Sequence, residues 1–181
     1  MIFEETPLAG VFVMRSALSE DERGAFARLL DTAELAARGL VAEFPQHSVA
    51  INRRPNVLRG LHYQAEPYGE TKVVRCTRGA VFDVVVDLRR ESETYARWFG
   101  LQLAEPGIVA LYVPRGFAHG YVSLGGYCEV HYAISTAYVP DAARGVRWND
   151  PALAISWPCS EPFLSPRDAA LPTLGESFPC A

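Results

Sequence analysis

The chain has 181 residues, a net charge of −4, an apolar fraction of 49% and a mean hydropathy of +0.03. That length predicts one domain, residues 1–181, able to bury a core without staples; the acidic balance excludes a protein that coats nucleic acid by charge, and no apolar run nears the roughly 20 residues that span a bilayer. The N-terminus, Met1-Ile2-Phe3-Glu4-Glu5, carries acids where a secretory signal is basic, so the cytoplasm is the expected compartment, and the scattered Cys76, Cys128, Cys159 and Cys180 are expected to be reduced structural thiols.

In chain order, the first predicted element is a helix over 32–40, with Thr32 as its cap, Glu34 near the positive end of the dipole and Gly39 near its stop. The middle of the chain then reads as strands over 71–75, 81–88, 99–103, 108–113, 121–124 and 129–134. They are short, rich in Val, Tyr and Phe, and punctuated by Gly, Pro, Asn or Ser. The segment Val81-Phe82-Asp83-Val84-Val85-Val86-Asp87-Leu88 mixes alternation with a continuous apolar run, which suits an inner strand covered on both faces. From Trp148 onward the chain is rich in Pro and Ser and is expected to pack across the strands. Many short strands and one short helix predict an all-β fold, a cupin-type jelly roll with a few short peripheral helices.

The candidate chemistry centres on Arg59-Gly60-Leu61-His62-Tyr63-Gln64 and on Lys72, the one lysine of a chain that otherwise uses arginine for its cations. An ammonium is a compact charge able to approach one developing oxyanion, whereas a guanidinium is a planar fork suited to phosphate. Arg59 therefore reads as a phosphate clamp, His62 as a base and Lys72 as an oxyanion partner. Each has a plainer reading as a solvated surface charge. A metal-binding jelly roll commonly carries two histidines two residues apart, because several imidazoles must converge on one cation. His62 is followed by Tyr63-Gln64, so no metal site is expected. Without a metal, a pocket at the mouth of the fold must draw on His62, Lys72, His119, Tyr132 and Tyr138, which together could move a proton beside a ketone. Taken singly, the tyrosines could be core aromatics, His119 could bond a turn and Asp168 could be a cap.

These residues, in this order, resemble the dTDP-4-dehydrorhamnose 3,5-epimerases and their sugar-nucleotide epimerase relatives. The similarity runs from Asp21-Glu22-Arg23-Gly24-Ala25-Phe26 through Leu58-Arg59-Gly60-Leu61-His62-Tyr63-Gln64 and Lys72. It continues through Gly79 to Arg89 and Pro114-Arg115-Gly116-Phe117-Ala118-His119-Gly120 to Tyr132, Tyr138, Trp148-Asn149-Asp150-Pro151 and Trp157-Pro158. The resemblance implies a jelly-roll homodimer that uses no metal or redox cofactor and acts on a nucleotide-linked 4-keto-6-deoxy sugar such as a dTDP-4-keto-6-deoxyhexose. It assigns His62 as the base, Asp168 as the group that orients it, Tyr132 as the acid on the opposite face of the sugar, and Lys72, with His119 nearby, as the support of the enolate oxygen. Arg23 and Arg59 map to diphosphate contacts, Gln46 and Tyr138 to the nucleotide or sugar site, and Phe26 to stacking on the base. Ser48 and Ala50 stand where the family commonly has asparagine and serine, so inversion of both carbons 3 and 5, or of one alone, stays open. A sugar-nucleotide-binding jelly roll without turnover is a further alternative.

Overall fold

The computed structural model describes residues 1–178. Its strands are β1 (Ile2–Glu5), β2 (Phe12–Arg15), β3 (Leu18–Asp21), β4 (Gly24–Ala27), β5 (Gln46–Asn52), β6 (Leu58–Gln64), β7 (Lys72–Arg78), β8 (Ala80–Asp87), β9 (Trp98–Ala104), β10 (Val109–Val113), β11 (Phe117–Ser123), β12 (Cys128–Ile134) and β13 (Ala143–Gly145). Helix α1 (Thr32–Ala36) precedes β5, and α2 (Pro166–Ala169) and α3 (Leu174–Ser177) follow β13. A six-stranded sheet of order β1-β2-β10-β7-β12-β5 faces a five-stranded sheet of order β13-β6-β11-β8-β9, and β3 and β4 form a separate hairpin. All paired strands within these sheets are antiparallel. The fold is all-β, of the cupin-like jelly-roll type.

Alternation along each strand decides what fills the space between the sheets. Val74, Cys76, Leu111 and Val130 of one sheet pack with Val81, Val85, Leu103 and Tyr121 of the other. Each such aliphatic side chain gains about 1.5–3 kcal/mol on burial. On β8 the intervening residues, Val84 and Val86, point the other way and are covered by Leu153, Leu174 and Trp157 of the tail. This double covering is why the β8 sequence is apolar almost throughout, and it places the tail across the outer face of the five-stranded sheet. The outer face of the six-stranded sheet is covered in part by Leu35 of α1 and by Phe44, packed on Met14, Val73 and Tyr112. Arg75 is buried on that face, where its guanidinium donates to the carbonyls of Gly107 (3.1 Å) and Leu29 (2.6 Å). Burial brings it down to about 10. Farther along, Val49 and Ile51 of the edge strand β5 remain exposed.

The helix expected over 32–40 is shorter than predicted, and its cap is Asp31, not Thr32: the Asp31 carboxylate accepts from the N–H groups of Ala33 and Glu34. A carboxylate meets these unsatisfied donors with a full charge, which the neighbouring hydroxyl lacks. Gly39, at φ +69°, follows the helix end. Strands β1 to β6 were not predicted. The β3–β4 hairpin is exposed along both strands and so carries no alternation to read, and β6 is interrupted by Gly60. Cys76 and Cys128 are buried and free, Cys159 is half-buried and free, and Cys180 lies outside the described residues. No helix among the described residues is long and apolar enough to cross a membrane.

Candidate active site

A cavity of about 620 Å³ opens at one end of the space between the sheets. Arg59, His62 and His119 reach it from β6 and β11 on one wall, and Lys72, Tyr132, Gln46 and Ser48 from β7, β12 and β5 on the other. One of these placements breaks the strand period. Residues three apart on a regular strand point to opposite faces, yet Arg59 and His62 both line the cavity. The register between β6 and β11 slips by one between the pairs His119↔His62 and Tyr121↔Arg59, and Gly60 sits at the slip with φ +140°. A Cβ there would lie 2.6 Å from the Gly120 Cα, so the two strands approach at a point only glycine permits.

His62 Nε2 lies 2.6 Å from Asp168 Oδ1, although 106 residues separate them. Asp168 is brought in by α2, whose N-cap Ser165 accepts from the Asp168 N–H. Burial opposes ionisation of the Asp168 carboxyl, but hydrogen bonds from His62, Ser165 and the Gly60 N–H outweigh it and hold the group below the usual carboxylate range. An ionised carboxylate only accepts, so the proton of this bond belongs to Nε2, and Nδ1 is the ring nitrogen left to take a proton from a ligand.

Lys72 Nζ lies 2.8 Å from Glu70 Oε1, both side chains being about one-tenth exposed (10% and 11%). The carboxylate fixes the ammonium at the cavity wall and leaves donors for another oxygen. His119 is buried and donates from Nε2 to both Asp83 oxygens, at 2.9 and 3.0 Å, which fixes its ring edge-on to Tyr132 with centroids 6.0 Å apart. Tyr132 is half-buried, and burial together with Tyr121 and Asp83 pushes its phenol well above the ordinary tyrosine range. It therefore carries its proton throughout the neutral range.

Of the ten residues expected at the site, His62, Lys72, Tyr132, Arg59, Gln46, His119 and Tyr138 line this cavity. Asp168 stands behind His62. Gln46 is partly committed, since its side-chain oxygen accepts from the Tyr138 N–H at 3.1 Å. Arg23 and Phe26 do not line the cavity: they lie on the exposed β3–β4 hairpin, where Arg23 pairs with Asp21 at 2.6 Å and Phe26 is 72% exposed. Nor does His119 serve a turn; it lies within β11. Sequence reasoning missed Glu70, Arg144 and Arg167, which also line the cavity. The Glu70 to Lys72 spacing of two was the available signal for the first. Arg144 and Arg167 come from β13 and α2, which only the fold brings to the mouth. Among the described residues no group of three or more His, Cys, Asp or Glu side chains could hold a metal ion.

The chain matches the model of the dTDP-4-dehydrorhamnose 3,5-epimerase family over residues 5–176. It is 39% identical over 182 residues to a dTDP-4-dehydrorhamnose 3,5-epimerase of Salmonella typhimurium, with 98% of each chain covered. It is similar to the crystal structure of dTDP-4-dehydrorhamnose 3,5-epimerase from Elizabethkingia anophelis, with a TM-score of 0.94, 34% identity and 97% of each chain covered. It is also similar to a dTDP-6-deoxy-D-glucose-3,5-epimerase from Legionella pneumophila in complex with dTDP-4-keto-L-rhamnose, with a TM-score of 0.90, 32% identity, and 96% of this chain and 93% of that one covered.

Proposed function

Because the chain belongs to the dTDP-4-dehydrorhamnose 3,5-epimerase family, a family of isomerases, we propose that it inverts carbons 3 and 5 of a dTDP-4-keto-6-deoxyhexose by acid–base chemistry alone, within one domain of residues 1–181. The observation that carries this reading is the placement of His62 and Tyr132 on opposite walls of one cavity, with Lys72 beside them. Inversion needs a proton taken from one face of a carbon and another delivered to the opposite face, and a base and an acid on facing walls supply both.

The ketone at carbon 4 acidifies the hydrogens on carbons 3 and 5. His62 Nδ1 takes one of them; the C–H pair moves into the ring as an enolate, and the imidazolium that forms is stabilised by Asp168 through Nε2–H. The Lys72 ammonium meets the negative charge on the enolate oxygen, an interaction typically worth about 3 kcal/mol when the donor is positioned in advance. Tyr132 then gives its proton to the carbon from the other wall. Arg59 binds the diphosphate as a planar two-pronged donor.

The same reading makes the working form a homodimer. Arg23 and Phe26, which the family resemblance assigns to the diphosphate and the base, stand on a hairpin exposed along both strands. A second copy offers the cavity that such a hairpin would complete, and sedimentation of the purified chain tests for it.

Incubation with dTDP-4-keto-6-deoxyglucose in D₂O, with a reductase trapping the product, tests the reaction. Deuterium and inversion at both carbons are expected. Inversion at one carbon alone makes the chain a mono-epimerase, and exchange at neither removes the reading in favour of a binding protein.

A further inference from the structure

Among the described residues that line the cavity, Glu70 is the only acid, and the proton transfers proposed above give it no part. Its presence there needs a reason, because Arg59, Arg144 and Arg167 suit the cavity to an anionic ligand and a fixed carboxylate opposes one. Its place is firmly held. The Thr71 N–H donates to Ser135 Oγ at 2.9 Å and the Ser135 N–H donates to the Thr71 carbonyl at 3.0 Å. Thr136 Oγ1 donates to the Gly69 carbonyl at 3.1 Å, so the backbone is tied on both sides of Glu70.

Lys72 Nζ lies 2.8 Å from Glu70 Oε1, and among the described residues the carboxylate has no further partner. An ionised carboxylate accepts at both oxygens, and the Glu70 side chain is only 11% exposed. A ligand that displaces water from the cavity must therefore meet the remaining acceptor with a donor of its own, or leave it unpaired at a cost in affinity.

The reading that sets the ketone oxygen against Lys72 also fixes which donor is near. Of the two carbons beside carbon 4, carbon 3 carries a hydroxyl, whereas carbon 5 carries a methyl group and the ring oxygen, neither of which donates. We propose that Glu70 is a specificity-determining residue: it accepts the hydrogen bond of the 3-hydroxyl while Lys72 donates to the oxygen on carbon 4. An equatorial hydroxyl beside a ketone lies near the plane of the carbonyl, with the two oxygens about one hydrogen-bond length apart. The carboxylate and the ammonium offer an acceptor and a donor at that same spacing, 2.8 Å. The pair thus recognises a hydroxyketone as a unit, sets carbon 3 on the Glu70 side of the ring, and selects against sugars that lack the 3-hydroxyl. This inference deepens the epimerase reading and rests on the ketone lying at Lys72.

The test compares dTDP-4-keto-6-deoxyglucose with dTDP-4-keto-3,6-dideoxyglucose, reading kcat/KM for deuterium exchange at carbon 5, a position both sugars share. The wild-type protein should prefer the hydroxylated sugar about tenfold or more, the worth of a hydrogen bond to a charged acceptor. In Glu70→Ala the ratio should fall to within about twofold of one, and Glu70→Gln, which keeps a neutral acceptor, should lie between. A loss of Lys72 orientation slows both sugars alike and leaves the ratio unmoved, so the ratio separates recognition from support of the ammonium. If Glu70→Ala exchanges neither sugar, the ratio in Glu70→Gln decides: an unchanged preference overturns the proposal, as does a wild-type protein with none. Lys72→Met distinguishes the two levels of the reading. Exchange at the wild-type rate in Lys72→Met removes the ketone from Lys72 and the proposal with it, whereas exchange lost there beside an undiminished ratio in Glu70→Ala overturns the role of Glu70 alone.

Discussion

Asp168→Asn separates the orientation of the base from substrate binding. The Asp168 carboxylate is 4% exposed, accepts from His62 at 2.6 Å, and does not line the cavity. Asparagine keeps the size and removes the charge that faces the imidazolium. A wholly buried charge pair would lose about 3–5 kcal/mol on such a change. The His62 side chain, however, is 36% exposed, so water solvates part of its charge. The loss then falls in the range of one hydrogen bond to a charged group, about 1.5–3 kcal/mol, or roughly 10- to 150-fold in rate. The assay is the exchange rate at saturating substrate in D₂O, beside dTDP affinity by calorimetry. Exchange should fall by that factor while affinity stays within about twofold. Exchange at the wild-type rate would refute the orienting role, as would an affinity loss that matches the rate loss. Stability adds a second readout: a carboxyl held below its ordinary value contributes above its unfolded pKa, and the contribution is lost as pH falls through the folded one. Asp168→Asn removes that part of the acid-side decline.

The same sign applies to Asp87, where burial opposes ionisation but bonds from Arg89, Ser92 and Thr94 bring the carboxyl down to about 2. Its stabilisation, about 2 kcal/mol at most because Arg89 is partly solvated, is complete above the unfolded value of 3.8 and lost as pH falls toward 2. Asp87→Asn should flatten urea stability against pH across that window, and an unchanged slope would count against the cluster. Gly60→Ala puts a Cβ 2.6 Å from the Gly120 Cα at φ +140° and should cost at least about 2 kcal/mol by denaturant unfolding; a neutral effect would mean that β6 and β11 can separate there. Lys72→Met should lower kcat about a hundredfold with nucleotide affinity retained, and a change confined to KM would remove Lys72 from the enolate. Arg59→Ala should weaken dTDP about tenfold or more, the loss of a two-pronged charged donor to the diphosphate. Unchanged affinity would mean that another arginine, such as Arg144 or Arg167 at the cavity wall, is the clamp.

Short runs rich in Val, Tyr and Phe between turn residues placed the strands in the middle of the chain, though β11 begins at Phe117 rather than at 121, and the apolar pattern of β8 showed its two covered faces, because side-chain direction along a strand is set by local geometry with a period of two. The run from Arg59 to Gln64, with Lys72 and the later His119 and Tyr132, likewise pointed to side chains that line one cavity, since those residue types suit proton transfer beside a ketone. Period two would nevertheless have put Arg59 and His62 on opposite faces; the register slip at Gly60 puts them on one. That slip depends on β11, more than fifty residues on, and no local pattern contains it. Partners distant in sequence, such as Asp168 behind His62 and Tyr121 beside Asn52, were decided by how the tail and the two sheets stack. Arg23 and Phe26 show the reverse, for their residue types suit a nucleotide but the hairpin that carries them stands outside the cavity. Sequence set the chemistry available to this chain, and tertiary structure decided which groups meet, because hydrogen bonds and ion pairs act over a few ångströms between residues that only register and layer packing bring together.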